Sequence, residues 1–247
     1  MICLCSSIVY SQDDGVEIPV PIYNISTNDL KVNQVKGNDL IPKVIKAGDT
    51  DSFLDGCEFV VSSNSVHRLI FPDTSIKIEE GSSVSLVNGQ IIHLNKTSPP
   101  ARAMLSERIM SFTVLDGSID IVSLGVKAPL MVHTPRVTVL VKRANCRIIV
   151  QGKTTIVAVE SGEVLLNKVV EGDKLPVKSG AYAHVTTYVS LSNKGMDTIN
   201  NGRPTATIKE ISQSEQLNLK ESIIQLSKDY DSVFFATIRG EVIGIKK

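Results

Sequence analysis

Four histidines, four cysteines and a run of aspartates are the residues of this chain with the most specific chemistry. His67, His93, His133 and His184 each stand alone in a separate β-branched stretch. A metal on a β-scaffold needs converging ligands, such as a His-x-His pair with a nearby acid. No such pair occurs, and isolated strand histidines predict surface or satisfied core residues. Cys3, Cys5, Cys57 and Cys146 contain no CxxC pair, so zinc is not expected. Cys57 and Cys146 read as two separate buried thiols, or as a disulfide if the chain is exported. Asp49, Asp51, Asp55 and Gly56 resemble a calcium loop at first sight. An EF-hand loop needs acids at positions 1, 3 and 5, Gly at 6 and Glu at 12. Here the third Asp comes two places late and Val60 stands where the Glu belongs, which predicts a solvated turn.

Catalytic signatures are absent. There is no Gly-x-Ser-x-Gly elbow, no Walker A loop and no dinucleotide fingerprint after a strand. The chain lacks Trp, which disfavours sugar binding on flat aromatic faces. No catalytic, cofactor-binding or metal residue is assigned, no cofactor is expected, and the reading is of a protein that is not an enzyme. Lys plus Arg equal Asp plus Glu, 26 against 26, and Val141-Lys142-Arg143 is the densest basic spot. Nucleic-acid binding rests on many cationic contacts to phosphate, so that partner class is excluded.

The elements that would position these residues are strands. The 247 residues are 42% hydrophobic but only 4% aromatic, and Val and Ile dominate. β-Branched side chains pack well on a pleated surface and lose freedom in a helix. Ser75 to Glu79 alternates polar and apolar, as a strand with one wet face does. Ser83 to Leu86 repeats the pattern. Asn88-Gly89 predicts a tight hairpin turn before Gln90 to Leu94, and Asp116-Gly117 predicts another between Phe112-Thr113-Val114 and Ile119-Asp120-Ile121. Gly152, Gly162, Gly172 and Gly180 then punctuate short Val/Ile runs. This spacing predicts an all-β fold of many short strands with regular Gly turns: a sandwich, barrel or solenoid.

The ends differ. Met1 to Ser11 is apolar or small, with Val9 and Ser11 at the −3 and −1 places of a signal-peptidase site. It reads as the tail of an export signal, the alternative being an ordinary first strand. No other run approaches the roughly 20 apolar residues of a membrane span. Residues 12–192 make the β-domain, and 193–204 read as a loop or linker. Residues 205–247 predict a small C-terminal helix and a hairpin. Ser212 and Glu215 have capping-box spacing, and Leu219, Ile223, Leu226 and Tyr230 share one helical face. Val233 to Ile238 and Glu241 to Ile245 would form the hairpin. The helix needs cover for its apolar stripe, and the β-domain is the expected cover.

One ordered set of motifs is similar to a known family. Ala128 to Pro135, with its Thr134-Pro135 step, leads into Val137 to Lys142 and then Thr154 to Val164, which ends on Glu160-Ser161-Gly162-Glu163-Val164. Upstream stand Ala47-Gly48-Asp49, Leu69 to Ile78 and Leu115-Asp116-Gly117-Ser118-Ile119; downstream stands Val177-Lys178-Ser179-Gly180. Together they resemble the FecR-like domain over about residues 37–190. The chain departs from that pattern at Arg143, Ala144 and Cys146, where the family has Gly-Thr and an aromatic at a local turn. The resemblance implies an extracytoplasmic β-domain, in the periplasm or secreted, that works as a protein-interaction or sensory module of the bacterial envelope. An envelope protein or a cell-wall component is the partner it implies; a structural wall- or glycan-associated role is the alternative.

Overall fold

The Val- and Ile-rich runs do form strands. The computed structural model describes residues 20–53, 56–71, 74–87, 91–92, 107–108, 110–124, 130–170, 173–187, 204–214, 218–221 and 223–225. The first strands in chain order are β1 (Val20–Asn24), β2 (Leu30–Lys36), β3 (Asp39–Ile45), β4 (Thr50–Phe53), β5 (Cys57–Val60) and β6 (His67–Phe71). There follow β7 (Thr74–Ile78), β8 (Ser83–Val87), β9 (Ile91–Ile92), β10 (Glu107–Arg108) and the long β11 (Ser111–Ser123). β12 (Leu130–His133) precedes two more long strands, β13 (Thr138–Gln151) and β14 (Thr154–Val170). β15 (Asp173–Lys178), β16 (Ala181–Thr187) and β17 (Pro204–Glu210) complete the series. The fold is all-β, with one small helix.

The pairings resolve into two layers that share three strands. The first runs β15–β14–β13–β12–β11–β8–β5–β2–β3, and the second runs β17–β16–β14–β13–β11–β7–β6–β1–β4. β11, β13 and β14 lie in both. In the second layer β11 and β13 pair directly, Gly117 to Ser123 against Val150 to Ala144. In the first layer β12 lies between them, parallel to β11 and antiparallel to β13. The layers enclose one continuous core. Phe71 of the second layer meets Phe112 of the first edge-on, ring centroids 5.2 Å apart.

Passing from layer to layer changes which side chains must face inward. Strand side chains alternate with period two, so one extra residue exchanges the faces. Each shared strand carries such an extra residue. In β11 the core-facing set shifts from Phe112 and Val114 to Ile119 and Ile121, with the register slipping at Leu115. In β13 it shifts from Val139 and Val141 to Ala144, Cys146, Ile148 and Val150, slipping at Lys142. In β14 it shifts from Val157 and Val159 to Val164 and Leu166, slipping at Glu160.

Two sequence expectations are corrected by these strands, and the departure from the family pattern at Arg143-Ala144 has its counterpart in the fold. Asp116-Gly117 is no hairpin turn, because β11 runs through it. Gly162 likewise lies inside β14, and no local turn occurs at Arg143-Ala144, where β13 is continuous. Gly117 and Gly162 have φ of 89° and 80°. A Cβ on Gly162 would stand 2.9 Å from Ala144 Cα and closer still to the Arg143 carbonyl oxygen; one on Gly117 would overlap Ser82. The turns expected at Gly152 and Gly180 do form. Those at Asn88-Gly89 and Gly172 lie outside the described residues.

Among the described strands the outermost ones are blunted as edges. β3 and β15 end the first layer and contain Pro42 and Pro176; β17 and β4 end the second, one beginning with Pro204 and the other only four residues long. Proline has no N–H, so a strand paired on one side only can hold it with the missing donor outward. Lys43 of β3 meets Asp51 of β4 at 2.5 Å, tying two edges across the layers. In the C-terminal part, Pro204–Glu210 is a strand paired along β16, an element that the sequence reading did not expect ahead of the helix. The expected export-signal remnant and the expected hairpin at 233–245 lie outside the described residues.

Candidate functional surface

Structure separates the residues that chemistry singled out. His67 of β6 is buried facing the core, and its Nδ1 has no hydrogen-bond partner. Burial holds its pKa below the ordinary imidazole value. His133 of β12 has Nδ1 3.2 Å from Thr138 Oγ1. His184 lies on β16, and His93 is outside the described residues. Cys57 and Cys146 are free thiols buried in the core, on β5 and β13. Burial, helped by the Asp51 and Glu58 carboxylates, pushes Cys57 up to about 12. Burial, helped by Asp120, pushes Cys146 up as well. Thiols so protonated are poor nucleophiles. Asp51 pairs with Lys43, Asp49 sits in the turn before β4, and Asp55 is outside the described residues. Among the described residues no three His, Cys, Asp or Glu side chains are grouped to hold a metal.

What the fold does bring together is a charged ladder on the outward face of the second layer. Register sets Lys77 of β7, Asp120 of β11 and Arg147 of β13 side by side. Asp120 has 0% of its surface exposed. Arg147 holds it through two bonds, Nε to Oδ1 at 2.5 Å and Nη2 to Oδ2 at 2.9 Å. Lys77 Nζ lies 3.8 Å from Asp120 and 2.6 Å from Glu79, while Arg147 reaches Glu79 at 3.9 Å. The hydrogen bond to Asp120 is the main reason the Arg147 pKa is raised; burial opposes it, and the charges of Asp120 and Glu79 add to it. A bidentate guanidinium–carboxylate pair fixes orientation as well as charge.

Beside the ladder the same face carries a small apolar cluster. Val122 is covered by Leu219 and Ile223 of the C-terminal helix, with Ala158 and Ile211 packed against them. Helical residues are 213–214, 218–221 and 223–225. Leu219 and Ile223, four apart, therefore meet the β-domain as their spacing predicts; Leu226 and Tyr230 lie outside the described residues. Ser75, expected on a wet face, is fully buried instead, and its register partner is Val122.

The outward face of the first layer is more open. Leu40, Val44 and Val60 are 53%, 50% and 44% exposed. Across the other end, Met131, Leu140, Leu165 and Pro176 stand in one row over four strands, all at least partly exposed.

No protein-family profile matches this chain, and no curated protein matches it either. Two solved structures share part of its outline. Both carry the description "putative anti-sigma factor" and come from Parabacteroides distasonis. One is 14% identical with a TM-score of 0.44, over 71% of this chain and 75% of that one. The other is 14% identical with a TM-score of 0.40, over 62% and 60%. Likeness so slight carries no argument about what this chain does.

Sequence reading did not find the ladder. Its signal was present, since Lys77, Asp120 and Arg147 each sit between apolar neighbours in a strand. Which strands lie side by side, and in what register, is not written in any one of them.

Proposed function

We propose that this chain is an exported, non-enzymatic β-domain of the FecR-like kind, acting as a protein-interaction or sensory module in the bacterial cell envelope. One observation chiefly supports the reading. Two of the glycines that carry the resemblance stand where a Cβ would collide with neighbouring residues, and a third turns the chain at positive φ. Gly117 and Gly162 lie in the transition regions of β11 and β14 between layers, against Ser82 and Arg143-Ala144. Gly48 has φ of 82° and donates to the Asn24 carbonyl at 2.8 Å, in the turn that the Asn24 side chain also holds. Thr134 caps the turn into β13, its hydroxyl donating to the Val137 carbonyl at 2.8 Å. An ordered set of such positions supports common descent better than the composition of strands does.

The partner in this reading is a protein of the envelope. The open face of the first layer, with Leu40, Val44 and Val60 exposed and Lys31 in register between the last two, offers side chains rather than backbone to it. The test has two arms. Fractionation of the native cell with an antiserum should place the chain outside the cytoplasm; a cytoplasmic location defeats the reading. A photo-crosslinker at position 44 should trap one defined envelope protein, whereas one at exposed Lys178, across the same layer, should not. Co-sedimentation with purified cell wall in place of a protein adduct would transfer the assignment to a wall-associated structural role.

A further inference from the structure

The ladder on the outward face of the second layer sets an amine against a carboxyl group. Lys77 of β7 and Asp120 of β11 are direct register partners in an antiparallel pair. Their side chains therefore leave the sheet on the same face, one strand spacing apart. Lys77 Nζ lies 3.8 Å from Asp120 Oδ2, and the two side chains are 17% and 0% exposed. Glu79 Oε1 is 2.6 Å from Lys77 Nζ, within reach to accept its proton. Arg147 donates to both carboxylate oxygens, Nε to Oδ1 at 2.5 Å and Nη2 to Oδ2 at 2.9 Å. The charge of Asp120 is thus matched by Arg147, and that of Lys77 by Glu79. What is left between Lys77 and Asp120 is too long for a hydrogen bond, yet it holds a nucleophile beside an electrophile.

We propose that Lys77 and Asp120 condense to an amide that cross-links β7 to β11. Glu79 takes a proton from the Lys77 ammonium, and the lone pair of the neutral Nζ attacks Asp120 Cγ. Negative charge in the tetrahedral intermediate stays on the carboxyl oxygens, where the Arg147 guanidinium already stands to hold it. Glu79 passes its proton, and the nitrogen a second one, to one of these oxygens, which departs as water. One ammonium and one carboxylate give one amide and one water, with no oxidant, reductant or further reactant. Such a condensation is unfavourable between free molecules in water. Groups held in reacting geometry gain effective molarities of about 10⁵–10⁸ M, which reverses that balance. The burial of Asp120 keeps bulk water from the new bond. The product is a staple outside the core, between a strand of the second layer and one that both layers share. This inference stands apart from the functional proposal and holds whether or not the chain is exported.

The test uses the full, unaltered chain, denatured, digested and read by mass spectrometry. The peptides that carry Lys77 and Asp120 should be recovered joined, lighter together by one water, with the two linear peptides largely lost. Linear peptides alone from the unaltered chain overturn the proposal, and this readout depends on no variant folding. Lys77→Arg keeps the positive charge without the amine, and it should give the linear peptides only. Glu79→Gln, with its β-sheet circular dichroism unchanged, should slow the appearance of the bond after synthesis by about a hundredfold. A joined peptide that persists in Lys77→Arg, or that forms equally fast in Glu79→Gln, contradicts the assigned roles and overturns the proposal.

Discussion

Replacing Gly162 by alanine should damage this protein far more than replacing Gly152, although both glycines have positive φ. At Gly152, φ is 54° and a Cβ would meet nothing within 4 Å. The cost there is the left-handed conformation alone, about 1–2 kcal/mol. Loss of freedom in the unfolded chain offsets about 0.4–1 kcal/mol of it. At Gly162, φ is 80°, and the new methyl overlaps the Arg143 carbonyl and presses on Ala144 Cα at 2.9 Å. Those atoms are backbone of β13, paired along both sides, so they cannot swing away as a side-chain tip would. Overpacking of that kind adds about 1–3 kcal/mol, which, with the same conformational cost and unfolded-chain offset, brings Gly162→Ala to roughly 1–5 kcal/mol. Urea unfolding followed by far-UV circular dichroism is the assay. With a slope of roughly 3 kcal/mol/M, the midpoint should fall by about 1 M for Gly162→Ala and by less than about 0.5 M for Gly152→Ala. Equal shifts for the two variants, or a neutral Gly162→Ala, would refute the idea that β14 presses on β13 as it changes layer.

Three further outcomes are expected. Arg147→Ala should cost up to about 3–5 kcal/mol, because it removes the bidentate partner of a buried carboxylate and leaves Lys77 at 3.8 Å to offset only part of the loss. Arg147→Ala combined with Asp120→Asn should regain part of that loss in the same urea titration, and strict additivity would argue against the pair. His67 is held neutral by burial, with a folded pKa below its unfolded 6.5. The unfolded chain therefore takes up the proton first, and stability that is complete above about pH 6.5 declines as the pH falls toward the folded value. His67→Leu should flatten that part of the acid slope between pH 7 and 5, and an unchanged slope would show that carboxylates alone produce it. Pro42→Val should restore an outward donor to the edge of β3 and produce concentration-dependent association by light scattering, while Pro42→Gly, which also restores the donor but disfavours strand, should associate less.

The sequence was a good guide to fold class and a poor one to strand length. Val, Ile and alternation were enough for all-β, and Leu219 with Ile223 were enough for a helix docked on the sheet. Gly117 and Gly162 misled because a glycine at positive φ looks the same in a hairpin turn and in a strand that steps over a neighbour. The distinguishing mark was nevertheless present in the alternation. Apolar residues fall on even numbers at Phe112 and Val114 and on odd numbers at Ile119 and Ile121. A true hairpin has no need to keep that phase, but a continuous strand crossing layers must change it. The Asp120 ladder was unreadable for a different reason: its members come from strands whose register depends on β12 lying between β11 and β13 in one layer only.

The three shared strands also decide how the molecule can move under load. In most two-sheet proteins the sheets are joined by loops and held by side chains, so they can slide or gape. Here continuous backbone passes from one sheet to the other in β11, β13 and β14, side by side. At these strands the sheets are joined by covalent chain, and sliding there would break two long ladders together. A load applied to one layer therefore reaches the other through continuous backbone at β11, β13 and β14, and not through side-chain contacts alone.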